Sequence, residues 1–266
     1  MITQALKDMG IGFKAGSADF REDRSTLVMI HGAGGHSQVW QNQIRLSKIP
    51  SSAGLKGSLN TLALDLPGYG ESIGKAKSDL DGYTEWLIES LRGIFSEPPF
   101  LMGHSMGGAI VQRAALLEPD LIKGIILVGT GPRLQVAPMF LEGLQQNFEK
   151  TVDTLIGFAY ASGADSLLIK EGVKLMKEAG SSVVYGDFLA CNRFDVRNEV
   201  GAIKLPCLIL CGEEDKLTPP ALSKKLNESI EGSRLEIVPD AGHMVMIENH
   251  KVFNDCVLDF IVNKPS

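Results

Sequence analysis

The feature that most constrains the fold is an alternation of short apolar runs with stretches of helical periodicity. The apolar runs lie at residues 26–31, 59–66, 99–104, 123–129, 206–212 and 234–239. Apolar residues recur at helical spacing in 79–95, 106–117 and 249–262. Short strands that alternate with helices are typical of a mostly parallel sheet with helices on both faces, so we predict an α/β fold. Glycines and charges interrupt residues 1–25, for which we predict a short hairpin.

One connection between the predicted strands is unusually long. Residues 130–205 separate the fourth run from the fifth, whereas a crossover connection needs only about a dozen residues. Apolar residues recur at helical intervals within this segment. We therefore predict a helical lid of three to four short helices at residues 131–203, inserted after the fourth strand. Residues 1–130 and 204–266 would form the core domain.

Charge and composition exclude several classes of partner. The net charge is -6 and no stretch is strongly basic, which disfavours nucleic acid. No apolar run approaches the ~20 residues that cross a bilayer, and the N-terminus lacks the pattern of a signal peptide. We therefore expect a cytoplasmic protein without stable membrane association. No cluster with metal-ligand spacing, dinucleotide fingerprint or P-loop occurs, so we predict no metal and no cofactor.

The third predicted strand ends in GHSMGG at residues 103–108, directly before a predicted helix. A serine on such a sharp strand-to-helix turn exposes its hydroxyl, and the crowded turn needs small residues on either side. Gly103 and Gly107 occupy those places. The motif predicts Ser105 as a nucleophile; the alternative is a glycine-rich turn that holds an inert serine.

The first predicted strand ends in HGAGG at residues 31–35. Acyl transfer needs two backbone N–H groups aimed at the developing oxyanion. We expect these donors at Ala33 and at Met106, where a helix N-terminus favours negative charge. Gly32, Gly34 and His104 are predicted to line the substrate site. A plain strand-ending turn is the alternative for the HGAGG segment.

The two remaining candidate residues follow the last two strands. GEEDKLTP at 212–219 offers Asp215, which the Gly-x-x-Asp-x-x-x-Pro spacing favours over Glu214. DAGH at 240–243 offers His243, with a glycine before it. Carboxyl ends of parallel strands share one edge of a sheet, so we expect both side chains to meet Ser105 there. The sequence predicts Asp215 as the orienting acid and His243 as the base.

Taken together, these motifs resemble the α/β-hydrolase superfamily over residues 26–262. The chain order Ser105, Asp215, His243 is the order of that fold, and DLPGYG at 65–70 matches its structural D-x-x-G-x-G loop. GHSMGG is similar to small esterases, enol-lactonases and cofactor-free haloperoxidases. Ser105 stands where epoxide hydrolases and haloalkane dehalogenases have aspartate, and Met106 stands where proline iminopeptidases usually have tryptophan.

The resemblance implies hydrolysis of a carboxylic ester, lactone or thioester of a small to medium apolar molecule through an acyl-enzyme on Ser105. The same three residues also serve carbon–carbon bond hydrolases and lyases of this superfamily, and some relatives are ligand receptors. Arg133, Arg193 or Arg197 in the predicted lid could bind a substrate carboxylate. A generic nitrophenyl ester distinguishes the esterase from these alternatives.

Overall fold

The computed structural model describes residues 2–17, 20–21, 23–48 and 59–263. These residues form a seven-stranded sheet with strand order β1-β3-β2-β4-β5-β6-β7. The strands are β1 Phe13–Ala15, β2 Thr26–Ile30, β3 Asn60–Leu64, β4 Phe100–His104, β5 Gly124–Val128, β6 Cys207–Gly212 and β7 Arg234–Val238. β1 pairs antiparallel with β3, and the other neighbouring strands are parallel. The mostly parallel sheet that the apolar runs predict is confirmed.

The described residues also form α-helices, most of which cover the two faces of this sheet, while those between β5 and β6 pack mainly on one another. The helices are α1 Ile2–Asp8, α2 Gln41–Ile44, α3 Leu80–Ile94, α4 Met106–Leu117, α5 Pro138–Gln146, α6 Phe148–Ala159, α7 Ser166–Ala179, α8 Ser181–Arg193, α9 Pro220–Ser229, α10 Val245–Glu248 and α11 His250–Val262. In β2, Val28 and Ile30 face the core beneath α1, α3, α4 and α9, whereas Leu27 and Met29 face the core beneath α10 and α11. Burial on both faces explains why the central strands are continuous apolar runs.

The N-terminal hairpin prediction is wrong. Residues 2–8 form α1, whose Leu6 is fully buried against α3. Phe13 lies opposite Leu64, so β1 pairs with a strand some fifty residues further along the chain. Gly10, at φ 67°, ends the helix and redirects the chain. Residues 18, 19 and 22 of the predicted hairpin lie outside the described residues.

The segment between β5 and β6 contributes α5, α6, α7 and α8. We call residues 131–203 the insertion. Its helices enclose an apolar cluster of their own, against which Leu217 and Met244 pack. Because these two residues follow β6 and β7, the insertion lies over the carboxyl ends of the strands. Among the described residues, no helix is both long and apolar enough to cross a membrane.

Candidate active site

Ser105 occupies a tight turn between β4 and α4. Its φ of 53° and ψ of −115° are rare for a residue with a side chain. Its N–H donates to the carbonyl of Val128 at 2.9 Å, which ties the turn to β5. A Cβ at Gly103 would lie 2.2 Å from the carbonyl oxygen of Gly107, and one at Gly107 would lie 2.4 Å from that of Ile30. Both positions therefore require glycine, as the motif predicts.

Asp215 and His243 form a buried pair after β6 and β7. Nδ1 of His243 lies 2.8 Å from Oδ2 of Asp215. The N–H groups of Leu217 and Thr218 donate to Oδ1 of Asp215 at 2.9 and 2.8 Å. The Thr218 hydroxyl donates to Oδ2 at 2.8 Å and lies 3.0 Å from Nδ1 of His243. The carboxylate is thus held by four groups.

These contacts fix the charge of Asp215 and the tautomer of His243. Burial raises the pKa of Asp215, but attraction to His243 and the hydrogen bonds from His243 and Thr218 leave that pKa below its ordinary value. A carboxylate only accepts hydrogen bonds, so Nδ1 carries the proton and Nε2 is the basic nitrogen. Gly129, at φ 50°, makes room for the pair, because a Cβ there would lie 3.3 Å from Nδ1.

The HGAGG segment begins with a histidine that has a structural role. His31 is fully buried; Nδ1–H donates to the Gly32 carbonyl at 2.8 Å and Nε2 accepts from the N–H of Leu66 at 3.0 Å. Burial lowers its pKa to about 4, so it stays neutral. A Cβ at Gly32 would lie 3.1 Å from Cβ of Ser105. The following residue, Ala33, lines the same cavity as Ser105.

His104 supports the backbone of His243. Its Nε2 lies 3.0 Å from the carbonyl oxygen of His243, and the two rings are 4.5 Å apart. Burial, together with the neighbouring His243, lowers the pKa of His104 to about 3. His104 is therefore neutral, donates through Nε2 and lines the cavity beside Ser105.

Two other predicted residues contribute backbone. Met106 is buried and is the first residue of α4, where helical N–H groups lack partners within the helix. Gly34 is not among the described residues that line the cavity. Its N–H donates to the Tyr69 hydroxyl at 3.2 Å, and a Cβ on it would meet Met176 of α7 at 2.8 Å. The structure thus places Gly34 under the insertion, outside the described lining of the cavity.

The cavity that Ser105 and His243 share has a volume of about 290 Å³ and lies between the strand ends and the insertion. Its walls are largely apolar. The insertion supplies Leu134, Val136, Ala137, Phe140, Leu155, Ile156, Ala159, Met176, Phe188 and Cys191. Lys216, beside Asp215, is the one lysine, arginine or acidic residue in the described lining.

None of the three arginines considered from the sequence lies among the described lining residues. Arg133 and Arg197 both contact Asp195, at 3.8 and 2.6 Å. Arg193 lines a separate surface cavity together with Asp79. Within the described ranges, no group of three or more histidine, cysteine or acidic side chains is arranged to hold a metal ion.

Sequence reasoning did not find three features of this region. Thr218 follows Asp215 by three residues. At this spacing an aspartate side chain often accepts a hydrogen bond from the backbone of the later residue, so a contact between the two could have been predicted. Gly129 directly follows β5, as an ordinary turn glycine does. Only its packing against His243 and Asp215 shows its role, and the sequence does not reveal that packing. The contact of Asp187 in α8 with Tyr69 joins distant parts of the chain, and no local pattern signals it.

Comparison with known proteins agrees with the fold and with the motifs. The model of a family described as the alpha/beta hydrolase family matches residues 27–255. A pimeloyl-[acyl-carrier protein] methyl ester esterase of Pseudoalteromonas atlantica is 28% identical over 89% of this chain and 93% of its own length. A 2-hydroxy-6-oxononadienedioate/2-hydroxy-6-oxononatrienedioate hydrolase of Cupriavidus pinatubonensis is 26% identical over 98% of both chains.

Solved structures show the same architecture. A thermophilic esterase superposes with a TM-score of 0.79 at 30% identity, covering 94% of this chain and 97% of that one. The enol-lactonase from Burkholderia xenovorans has a TM-score of 0.82 at 19% identity, covering 94% and 96%, which shows the fold alone. The predicted resemblance and fold class are confirmed. The chain therefore belongs to the alpha/beta hydrolase family and is a hydrolase with that fold.

Proposed function

We propose that this chain is a serine hydrolase that cleaves a carboxylic ester, lactone or thioester through an acyl-enzyme on Ser105. The observation that carries the proposal is the buried His243–Asp215 pair, joined at 2.8 Å, whose His243 lines the same cavity as a serine with rare backbone angles. A nucleophile, a base and an orienting acid on three separate strand ends are the groups that acyl transfer needs.

In the proposed mechanism, Oγ of Ser105 attacks the substrate carbonyl carbon while Nε2 of His243 takes the hydroxyl proton. Asp215 stabilises the resulting imidazolium without taking its proton. The N–H groups of Ala33 and Met106 bind the oxyanion. The tetrahedral intermediate expels the alcohol or thiol, which takes the proton from His243. Water then attacks the acyl-enzyme, with His243 again as base, and releases the acid.

The cavity supports an apolar substrate of small to medium size. About 290 Å³ of space with largely aliphatic and aromatic walls suits an acyl chain or a compact lactone. We propose that the insertion at residues 131–203 acts as a lid over a core formed by 1–130 and 204–266, because it supplies most of these walls. The methyl ester esterases among the relatives support an ester as the scissile group.

Carbon–carbon bond hydrolysis is the second candidate. It is favoured by the 26% identical relative from Cupriavidus pinatubonensis, which matches over 98% of both chains and is named for hydrolysis of a dienedioate. A dicarboxylate would place its charges among apolar side chains, with Lys216 as the one lysine or arginine in the described lining. Because unpaired buried charges are costly, the cavity supports the neutral ester better.

Steady-state hydrolysis of p-nitrophenyl butyrate separates these candidates. We expect turnover by the wild type and by Ser229→Ala, an exposed serine at the end of α9. Ser105→Ala should lose activity by about 10⁴-fold or more while keeping its circular dichroism spectrum. An inactive wild type that cleaves a dienone acid would instead establish the second candidate. A folded Ser105→Ala protein that retains turnover would contradict both.

A further inference from the structure

A buried carboxyl group links the insertion to the core. Asp187 lies in α8 and has no exposed surface. Its Oδ2 accepts a hydrogen bond from the Tyr69 hydroxyl, and its Oδ1 accepts one from the Tyr83 hydroxyl at 3.0 Å. Tyr69 belongs to the loop after β3, and Tyr83 belongs to α3. One carboxylate of the insertion therefore holds two phenols of the core.

Only one of these phenols reaches the HGAGG segment. The Tyr69 hydroxyl, which donates to Asp187, also accepts from the N–H of Gly34 at 3.2 Å. The Tyr69 ring stands edge-on to His31, with centroids 4.9 Å apart. Gly34 directly follows Ala33 and adopts a φ of 67°. The peptide unit on the C-terminal side of Ala33 is thus held in one orientation by a chain of two hydrogen bonds.

The ionisation states of Asp187 and Tyr69 favour the hydrogen bond between them, but burying the Asp187 carboxylate is energetically unfavourable. Burial raises the pKa of Asp187 to about 6, although the hydrogen bonds from Tyr69 and Tyr83 and the backbone N–H of Gly34 lower it. Burial and the neighbouring Asp187 raise the pKa of Tyr69, so its hydroxyl stays a donor. A fully buried, ionised carboxylate contributes little to the stability of a fold because its desolvation is costly. Buried ionisable groups with shifted pKa values occur preferentially at functional sites.

We propose that Asp187 and Tyr69 are positioning residues that, through the Gly34 N–H, help to hold the HGAGG segment so that the Ala33 N–H points at the oxyanion. The carbonyl of the Gly32–Ala33 peptide unit, which carries that N–H, is held on its other side by His31 and by the N–H of Gly35. The inference rests on the proposed function, because it takes Ala33 as an oxyanion donor. The physical reason is that a preorganised donor must already be in place when charge develops on the substrate oxygen. A loop freed at Gly34 would instead have to reorient during the reaction.

Tyr69→Phe and Tyr83→Phe make a matched pair for the test. Each removes one hydroxyl that donates to Asp187, but only Tyr69 contacts Gly34. We would measure kcat and KM for a nitrophenyl ester, and the Ki of a trifluoromethyl ketone. The ketone carbon accepts Oγ of Ser105, the serine proton passes to His243, and an oxyanion remains that mimics the intermediate.

For Tyr69→Phe we expect kcat to fall and the ketone Ki to rise, each by about tenfold, which is less than the loss of a whole oxyanion donor. KM should change less than twofold. Asp187→Asn should likewise lower kcat and raise the ketone Ki. In a protein that already carries Tyr69→Phe, it should change kcat and Ki little further. Tyr83→Phe should lower the melting temperature but change kcat and Ki less than twofold.

Equal kcat and Ki for the two phenylalanine variants would overturn the inference and leave the proposed function intact. Variants that lower only the melting temperature, with kcat and Ki unchanged, would also overturn the inference. They would show that Asp187, Tyr69 and Tyr83 stabilise the fold without orienting the HGAGG segment. A wild type that neither hydrolyses the ester nor binds the ketone would overturn the proposed function and, with it, this inference.

Discussion

At the residue scale, the candidate site depends on how a buried carboxylate is held. Asp215 receives hydrogen bonds from two backbone N–H groups, from Thr218 and from His243. The two backbone donors are positioned by the turn after β6 whatever side chains it carries. The hydroxyl donor, in contrast, is present only because residue 218 is a threonine. The contribution of Thr218 to catalysis can therefore be measured separately.

We expect Thr218→Val to lower kcat by about tenfold or more, because the hydroxyl is one charge-assisted hydrogen bond to Asp215 and such a bond contributes roughly 1.5 kcal/mol or more. The isosteric change keeps the backbone N–H that donates to Oδ1. Thr154→Val is the control, since its hydroxyl bonds only a carbonyl of its own helix at an exposed position. A kcat unchanged from the wild type would show that the backbone donors suffice.

The second residue-scale prediction concerns Asp187 and the pH dependence of stability. The pKa of Asp187 is about 6 in the folded chain against an ordinary value of 3.8. Between these values the folded state binds more protons than the unfolded state, so the free energy of unfolding falls as pH rises through this window. The pKa difference corresponds to about 3 kcal/mol.

Asparagine at position 187 does not titrate. We therefore expect the stability of the wild type relative to Asp187→Asn to decrease by up to about 3 kcal/mol between pH 4 and pH 6.5, as measured by urea unfolding at each pH. A constant difference between the two proteins across that range would show that Asp187 does not titrate there.

At the element scale, the turn between β4 and α4 is the part that the sequence predicts best. A strand, a helix and two glycines around Ser105 leave few alternatives, because residues with a Cβ do not fit at Gly103 and Gly107. The short β1 strand is the opposite case. Its partner in the sheet lies far along the chain at Leu64, so propensity near Phe13 carries no information about the pairing.

Glycine substitutions test this account of the turn. We expect Gly103→Ala to destabilise the fold by about 3 kcal/mol or more, because its Cβ would lie 2.2 Å from backbone at Gly107. Gly157→Ala is the control: this glycine lies in α6 with nothing within 4 Å of an added Cβ. It should gain up to about 1 kcal/mol from helix propensity. A tolerated Gly103→Ala, measured by thermal unfolding, would contradict the tight turn.

At the scale of the whole molecule, the ends of β2, β4, β6 and β7 create the cavity together with the insertion. The motifs at the strand ends are local, so Ser105, Asp215 and His243 could each be predicted from the sequence. The cavity walls could not, because the apolar residues of α5 to α8 have the same helical spacing whether they face each other or a substrate. Only the packing separates Leu144, within the insertion cluster, from Leu155, which also lines the cavity.

If the proposed ester hydrolysis takes place in this cavity, its lining residues limit the length of the acyl chain. With p-nitrophenyl esters of increasing length, kcat/KM should rise by about fourfold per methylene, from roughly 0.8 kcal/mol of burial each, until the cavity is full. Leu155→Trp should move the optimum to shorter acyl chains by filling the wall, whereas Leu117→Trp on the exposed end of α4 should not. An optimum that Leu155→Trp does not move would place the acyl chain elsewhere.

The central claim is that Ser105 is an activated nucleophile, and a fluorophosphonate tests it most directly. The wild type, Ser105→Ala and Ser229→Ala would be incubated with the reagent, and intact masses and the modified peptide would be recorded. The account predicts a single adduct on the wild type and on Ser229→Ala, mapped to Ser105, and none on the folded Ser105→Ala protein. An unmodified wild type, or an adduct that persists in Ser105→Ala, would contradict it.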